Sequence, residues 1–195
     1  MPRPTRATAV APLAALLLLG GCLSFGPKTP PTLFDLTAEN PAPAGAGQSG
    51  PLASALVVET PEAALELDVT RVAVQIDPAN VAYVKKAGWV ERPARLFARL
   101  LAETIRARGS RVVLETEPGS GNSEVLSGRL LAMGYDAATR AAVVRFDAIR
   151  TSGGTISTRR FESVVPVGES DPDLLGPALN RAANDVARQV AEWAG

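Results

Sequence analysis

The sequence predicts a single small α/β domain, a mixed and largely antiparallel sheet with two amphipathic helices packed on it. Three observations carry this expectation. Residues 124–135, 141–150 and 155–165 are long strand-like runs, and Ser152-Gly153-Gly154 between the last two is hairpin chemistry. Two segments, Ala94 to Ile105 and Leu175 to Trp193, place apolar residues at helical spacing. Between residues 65 and 76, apolar and polar residues alternate with period two.

The elements follow in order. Thr32-Leu33-Phe34-Asp35-Leu36 alternates weakly and reads as a first strand. Residues 37–53 hold so many Pro, Gly and Ala that they read as a flexible insertion. Ala55 to Glu59 is a second strand, ended by Pro61. Leu65, Leu67, Val69, Val72, Val74 and Ile76 build a half-buried strand with an interruption near Asp68. Asp77 to Asn80 is a turn, and Val81 to Val84 a short strand. Pro93 starts a helix, where its missing N–H costs nothing, and Gly109 ends it. Arg111 to Leu114 is the next strand, and the three long runs after it form a meander. Asp171 and Pro172 open the last helix as N-cap and first turn. Its stripe of Leu175, Leu179, Ala182, Val186, Val190 and Trp193 wants a sheet beneath it, while Asn180, Arg181, Asp185 and Arg188 lie off the stripe.

The N-terminus carries a different signal. Arg3 and Arg6 precede an apolar run from Val10 to Leu19, too short to span a bilayer, and two small residues follow it. Leu19-Gly20-Gly21-Cys22 resembles a bacterial lipobox, which implies cleavage after Gly21 and acyl chains on Cys22. More than one acyl chain holds a protein firmly to a membrane. The expected organisation is a signal peptide at 1–21, a lipidated tether at 22–31 and the domain at 32–195. Ten tether residues reach about 35 Å at most. Leu23, rather than Asp, follows the cysteine, and resemblance to enterobacterial lipoprotein sorting implies the outer membrane at its periplasmic face, with the inner membrane as the alternative.

Composition narrows the function. Removing 1–21 leaves 174 residues and takes two of the 20 basic residues but none of the 20 acidic ones. The remaining near-neutral balance points to no nucleic acid. The chain has no histidine, and Cys22 is its one cysteine. The commonest general base, metal ligand and thiol nucleophile are therefore missing, and the expectation is a protein that is not an enzyme, with no cofactor and no metal.

Several clusters are candidate sites. Tyr83 to Trp89 sets two aromatics and Lys85-Lys86 around an expected turn, either as a contact for a partner or with Trp89 covering the core edge. Gly119-Ser120-Gly121 lacks the spacing of a phosphate loop. Glu62, Glu66 and Asp68 match no calcium loop and read as a solvated face. Arg106, Arg108, Arg159 and Arg160 read as solvated too.

The ordered set of elements resembles the ABC-type transport auxiliary lipoprotein family. Arg71-Val72-Ala73-Val74, then Ala82-Tyr83 with Trp89, then a Pro-started helix with Leu96 to Glu103 between Asp68 and Arg111, carry the likeness. Arg159-Arg160-Phe161, the C-terminal helix and the lipobox extend it. The resemblance implies a non-catalytic component of a transport system for phospholipids or other hydrophobic compounds. It implies separate permease, ATPase and lipid-binding subunits as partners, besides the membrane reached through the N-terminal lipid. The family carries no catalytic residues over to this chain, and Cys22 is the position it maps. The rival reading is an outer-membrane assembly or pilot lipoprotein that partners a β-barrel.

Overall fold

The computed structural model describes residues 32–115 and 123–194. In chain order these hold β1 (Thr32–Phe34), a 3-10 turn (Leu52–Ser54), β2 (Leu56–Val58), β3 (Glu62–Ala63), β4 (Arg71–Asp77) and β5 (Asn80–Trp89). Then come α1 (Pro93–Ala107), β6 (Val113–Leu114), β7 (Glu124–Asp136), β8 (Ala141–Ser152), β9 (Thr155–Pro166) and α2 (Pro172–Ala194). All nine strands join one sheet.

Its organiser is β7. One edge pairs antiparallel with β8, which pairs antiparallel with β9. The other edge is shared along its length by three parallel strands. β2 lies against Glu124 to Leu126, β3 against Arg129 and Leu130, and β4 against Gly134 to Asp136. β5 folds back antiparallel on β4 and holds β1 in parallel, while β2 holds β6 in parallel. The meander closes where expected: Gly153 and Gly154 have φ of 55° and 79°, the left-handed pair that a two-residue hairpin loop needs.

Both helices pack on one face of this sheet. α1 buries Leu96, Phe97, Leu100, Leu101 and Ile105, and turns Arg95 and Arg99 outward to Glu91. α2 is capped by Asp171, whose carboxylate accepts the Asp173 N–H at 2.9 Å. Leu175, Leu179, Ala182, Val186 and Val190 are fully buried, as the stripe predicts, and Trp193 meets Phe161 edge-on at 5.7 Å. Phe97 and Phe146 pack edge to face at 5.2 Å across the α1–β8 contact.

Three expectations are corrected. Residues 65–69 are not a strand: ten residue steps from Ala63 to Ala73 face only four from Leu130 to Gly134, so the surplus must leave the sheet. It forms a tight turn in which the N–H groups of Leu67 and Asp68 reach the Ala64 carbonyl, Leu67 folds inward and Leu65 stands 85% exposed. Residues 85–89 are not a turn but the end of β5, reached through a bulge. Two steps along β4, Arg71 to Ala73, face five along β5, Gly88 back to Tyr83, and Lys86 takes φ 63° to absorb the excess.

The 37–53 insertion is not a free loop in this fold. It runs as a strap across the helix layer, its backbone held by helix side chains. Asn180 accepts the Thr37 N–H at 3.0 Å, Asn184 the Glu39 N–H at 2.9 Å and Glu103 the Ala42 N–H at 2.7 Å. Asn184, the one buried polar residue among the described residues, returns a hydrogen bond to the Thr37 carbonyl. Composition alone could not show this, because the acceptors lie on distant helices.

Candidate functional site

No element among the described residues covers the second face of the sheet. Alternation along β8 sends Val143, Arg145, Asp147 and Ile149 to that side, which explains why the strand is not cleanly amphipathic. Two features occupy the face. At the β4 end lies a hollow of about 120 Å³, lined by Leu67, Ala73, Val81, Ala132, Gly134 and Val143 among others. Across the middle runs a row of directly opposed residues from four strands, Glu62, Arg129, Asp147 and Arg160.

The row alternates in sign and is internally paired. Arg129 meets Glu62 at 3.1 Å, and Arg160 grips Asp147 with two nitrogens at 2.6 and 2.7 Å. Arg145 pairs with Glu162 one step along. The Arg160 hydrogen bonds, joined by the charges of Arg145 and Arg129, hold the Asp147 carboxyl below the usual carboxylate range. A proton donor at neutral pH needs the opposite shift. The row serves to keep a two-sided sheet wet on one side, with each exposed pair worth at most about 1 kcal/mol.

A second ionic group ties the sheet end to the helices. Glu124 accepts from Arg111 at 2.9 Å, Arg150 at 3.0 Å and the Ser152 hydroxyl at 2.9 Å. Arg111 also donates to the Ala194 and Ser54 carbonyls. Burial alone would raise the Glu124 carboxyl, but the Arg111 and Ser152 hydrogen bonds outweigh it and the group stays below its ordinary range. Sequence reading missed this staple, because its members come from three separated segments.

The other clusters resolve into paired charges or fall elsewhere. Asp68 pairs with Arg92 at 3.3 Å, and Arg106 reaches Glu103 and Glu115 at 2.7 and 3.1 Å. The described residues hold no cluster of three potential metal ligands, and none of their helices is long and apolar enough to cross a membrane. Gly21, Cys22 and Gly119-Ser120-Gly121 lie outside the described residues.

The structure separates Tyr83 from Trp89. Tyr83 stands opposite Ala73 on the uncovered side, half-buried, with the Arg71 guanidinium 3.6 Å above its ring. Trp89 faces the helix layer and is only 2% exposed, edge-on to Phe34 at 5.7 Å. As a partner contact Trp89 is therefore corrected to a core residue. Its indole N–H has no hydrogen-bond partner among the described residues. Trp89→Phe, which deletes an orphaned donor, should shift stability by less than about 1.5 kcal/mol. Trp89→Ala should cost about 3–5 kcal/mol in urea unfolding. An unchanged midpoint for the alanine variant would return Trp89 to the surface.

The likeness to known proteins agrees with this architecture. The family model described as ABC-type transport auxiliary lipoprotein component matches residues 34–191. A crystal structure of protein XCC0632 from Xanthomonas campestris, assigned to family DUF330, is 18% identical with a TM-score of 0.70, covering 84% of this chain and 94% of that one. A crystal structure described as an uncharacterized protein is 13% identical with a TM-score of 0.69, covering 84% and 98% respectively. These likenesses show the fold. No curated protein sequence matches the chain. The family model spans the domain from the end of β1 into the last turn of α2, so the chain belongs to the ABC-type transport auxiliary lipoprotein component family.

Proposed function

We propose that this protein is a non-catalytic, lipid-anchored subunit of an ABC-type system that moves phospholipids or other hydrophobic compounds. It sits at the periplasmic face of the outer membrane through acyl chains on Cys22 and partners a separate lipid-binding or permease subunit. The family match across the whole domain carries the reading. The signal-like run ending in Leu19-Gly20-Gly21-Cys22, the absence of histidine from the sequence and the pairing of Asp147 and Glu124 with arginines support it.

Two measurements test it. Intact mass spectrometry of membrane-extracted protein should show a chain beginning at Cys22 and carrying diacylglyceryl. A soluble form with a free thiol and another N-terminus would sink the anchor. The tagged chain should copurify with a lipid-binding subunit and permease of an ABC transporter. Recovery with β-barrel assembly components alone would favour the rival reading.

A further inference from the structure

We infer that the bulged corner between β4 and β5 rests on the bilayer, where Arg71, Lys85 and Lys86 take the phosphates of anionic phospholipid headgroups. This rests on the proposed anchoring at Cys22 and adds to it an orientation of the domain and a preference for headgroup charge.

The first observation is an imbalance of pairing. Ten arginines of the described residues have a carboxylate within 4.0 Å, whereas Arg71, Arg108, Arg140, Arg159 and Arg181 do not. Arg71, Lys85 and Lys86 have none there, although they cluster on one bulge. Arg71 opposes Gly88 at the foot of that bulge and lies over the Tyr83 ring at 3.6 Å, with no ion pair to an acid among the described residues. Lys86 adopts φ 63°, uncommon for a residue with a side chain, and with Lys85 stands exposed at the break in the ladder. Glu66 lies beside the hollow, and Asp35 on the chain after β1. Neither pairs with the three cations.

The second observation is where the chain leaves the domain. Thr32 pairs with Ala87, the residue after Lys86. From Cys22 to Thr32 the chain takes ten residue steps, a reach of about 35 Å at full stretch. Among the surfaces of the domain, this corner is therefore held closest to the acyl chains, at high effective concentration over the headgroups. Charge sets the facing. Asp35 and Asp173 flank Thr32 on the α2 side, whereas the lysines flank it on the β5 side, so an anionic surface attracts the bulge and repels the α2 terminus. Leu33, half exposed on β1, and Tyr83 supply the apolar and aromatic groups suited to the interfacial zone.

Amine labelling tests this directly, because Lys28, Lys85 and Lys86 are the only lysines of the chain. The acylated protein is reconstituted on vesicles of phosphatidylcholine alone or with phosphatidylglycerol, and labelling of each lysine is read by peptide mass spectrometry. Lys85 and Lys86 should label several-fold more slowly on the phosphatidylglycerol vesicles. The difference should vanish at about 1 M salt, where screening shortens to about 3 Å. Arg71→Ala should weaken the protection about fivefold, the factor that about 1 kcal/mol per surface cation implies, with circular dichroism unchanged. Equal labelling on both vesicles, with the protein still floating on them, would overturn the lipid contact and leave the anchor intact. Protection that requires a partner subunit and ignores the lipid would make the corner a protein interface instead. Protein recovered without acyl groups would remove the anchor and, with it, the bilayer as occupant.

Discussion

Gly134→Ala should destabilise the domain by about 3 kcal/mol or more, a large part of the 5–15 kcal/mol that holds a typical domain together. A Cβ at this position would sit 2.2 Å from the Ala73 carbonyl oxygen and 3.0 Å from its carbon. Both are backbone atoms of the strand paired with β7 at that register, so no side chain can swing aside. β4 would have to move away, taking Val72 and Val74 from the core. Gly47→Ala is the control, since its Cβ would meet nothing within 4 Å. Urea unfolding of both variants checks the claim. A wild-type midpoint for Gly134→Ala would mean that β4 does not lie on β7 as described.

Leu179→Asp should be comparably damaging. Leu179 is fully buried between α2 and the sheet. The substitution removes an apolar side chain worth about 2–5 kcal/mol and leaves a carboxylate with no buried cation in the surrounding core. Thermal unfolding should show loss of the cooperative transition or a fall of many degrees. Arg188→Ala, two turns along and exposed, loses surface pairs with Asp185 at 3.2 Å and Glu192 at 3.6 Å, and should cost less than about 1 kcal/mol. Equal melting of the two variants would mean that α2 is not packed by its stripe.

The parts of the fold legible in the sequence are those set by local rules. The meander runs were expected at 124–135, 141–150 and 155–165, and the strands extend one or two residues further. Period two and the Ser152-Gly153-Gly154 turn carry that information locally. Pro93 and Asp171-Pro172 likewise marked the helix starts from their own capping chemistry. Where register decides, local rules fail. Leu65 to Val69 keep strand periodicity yet leave the sheet, because β7 has no room opposite them. Tyr83 and Trp89 lie six residues apart, which an unbroken strand would put on one face, and the bulge at Lys86 sends them to opposite faces. The row from Glu62 to Arg160 exists only once four strands are aligned, and no spacing within any one strand announces it.

The sharing of one β7 edge by β2, β3 and β4 has a consequence for how the chain comes to be folded. Each of these strands finds its partner more than 60 residues further along the chain. The contacts within β7, β8 and β9, by contrast, close over short turns. Local pairings form fast, whereas distant ones wait on the entropy of closing a long loop. Locality therefore favours the meander as the first part to form, with the N-terminal strands added to it afterwards. Synthesis runs the other way. Leu56, Val57 and Val58 leave the ribosome well before Glu124 to Leu126, the strand that will cover them, and until then they are three apolar residues in succession with open backbone groups. The order of emergence thus opposes the order that locality favours, and over this interval those unpaired apolar residues are exposed to association with neighbouring chains.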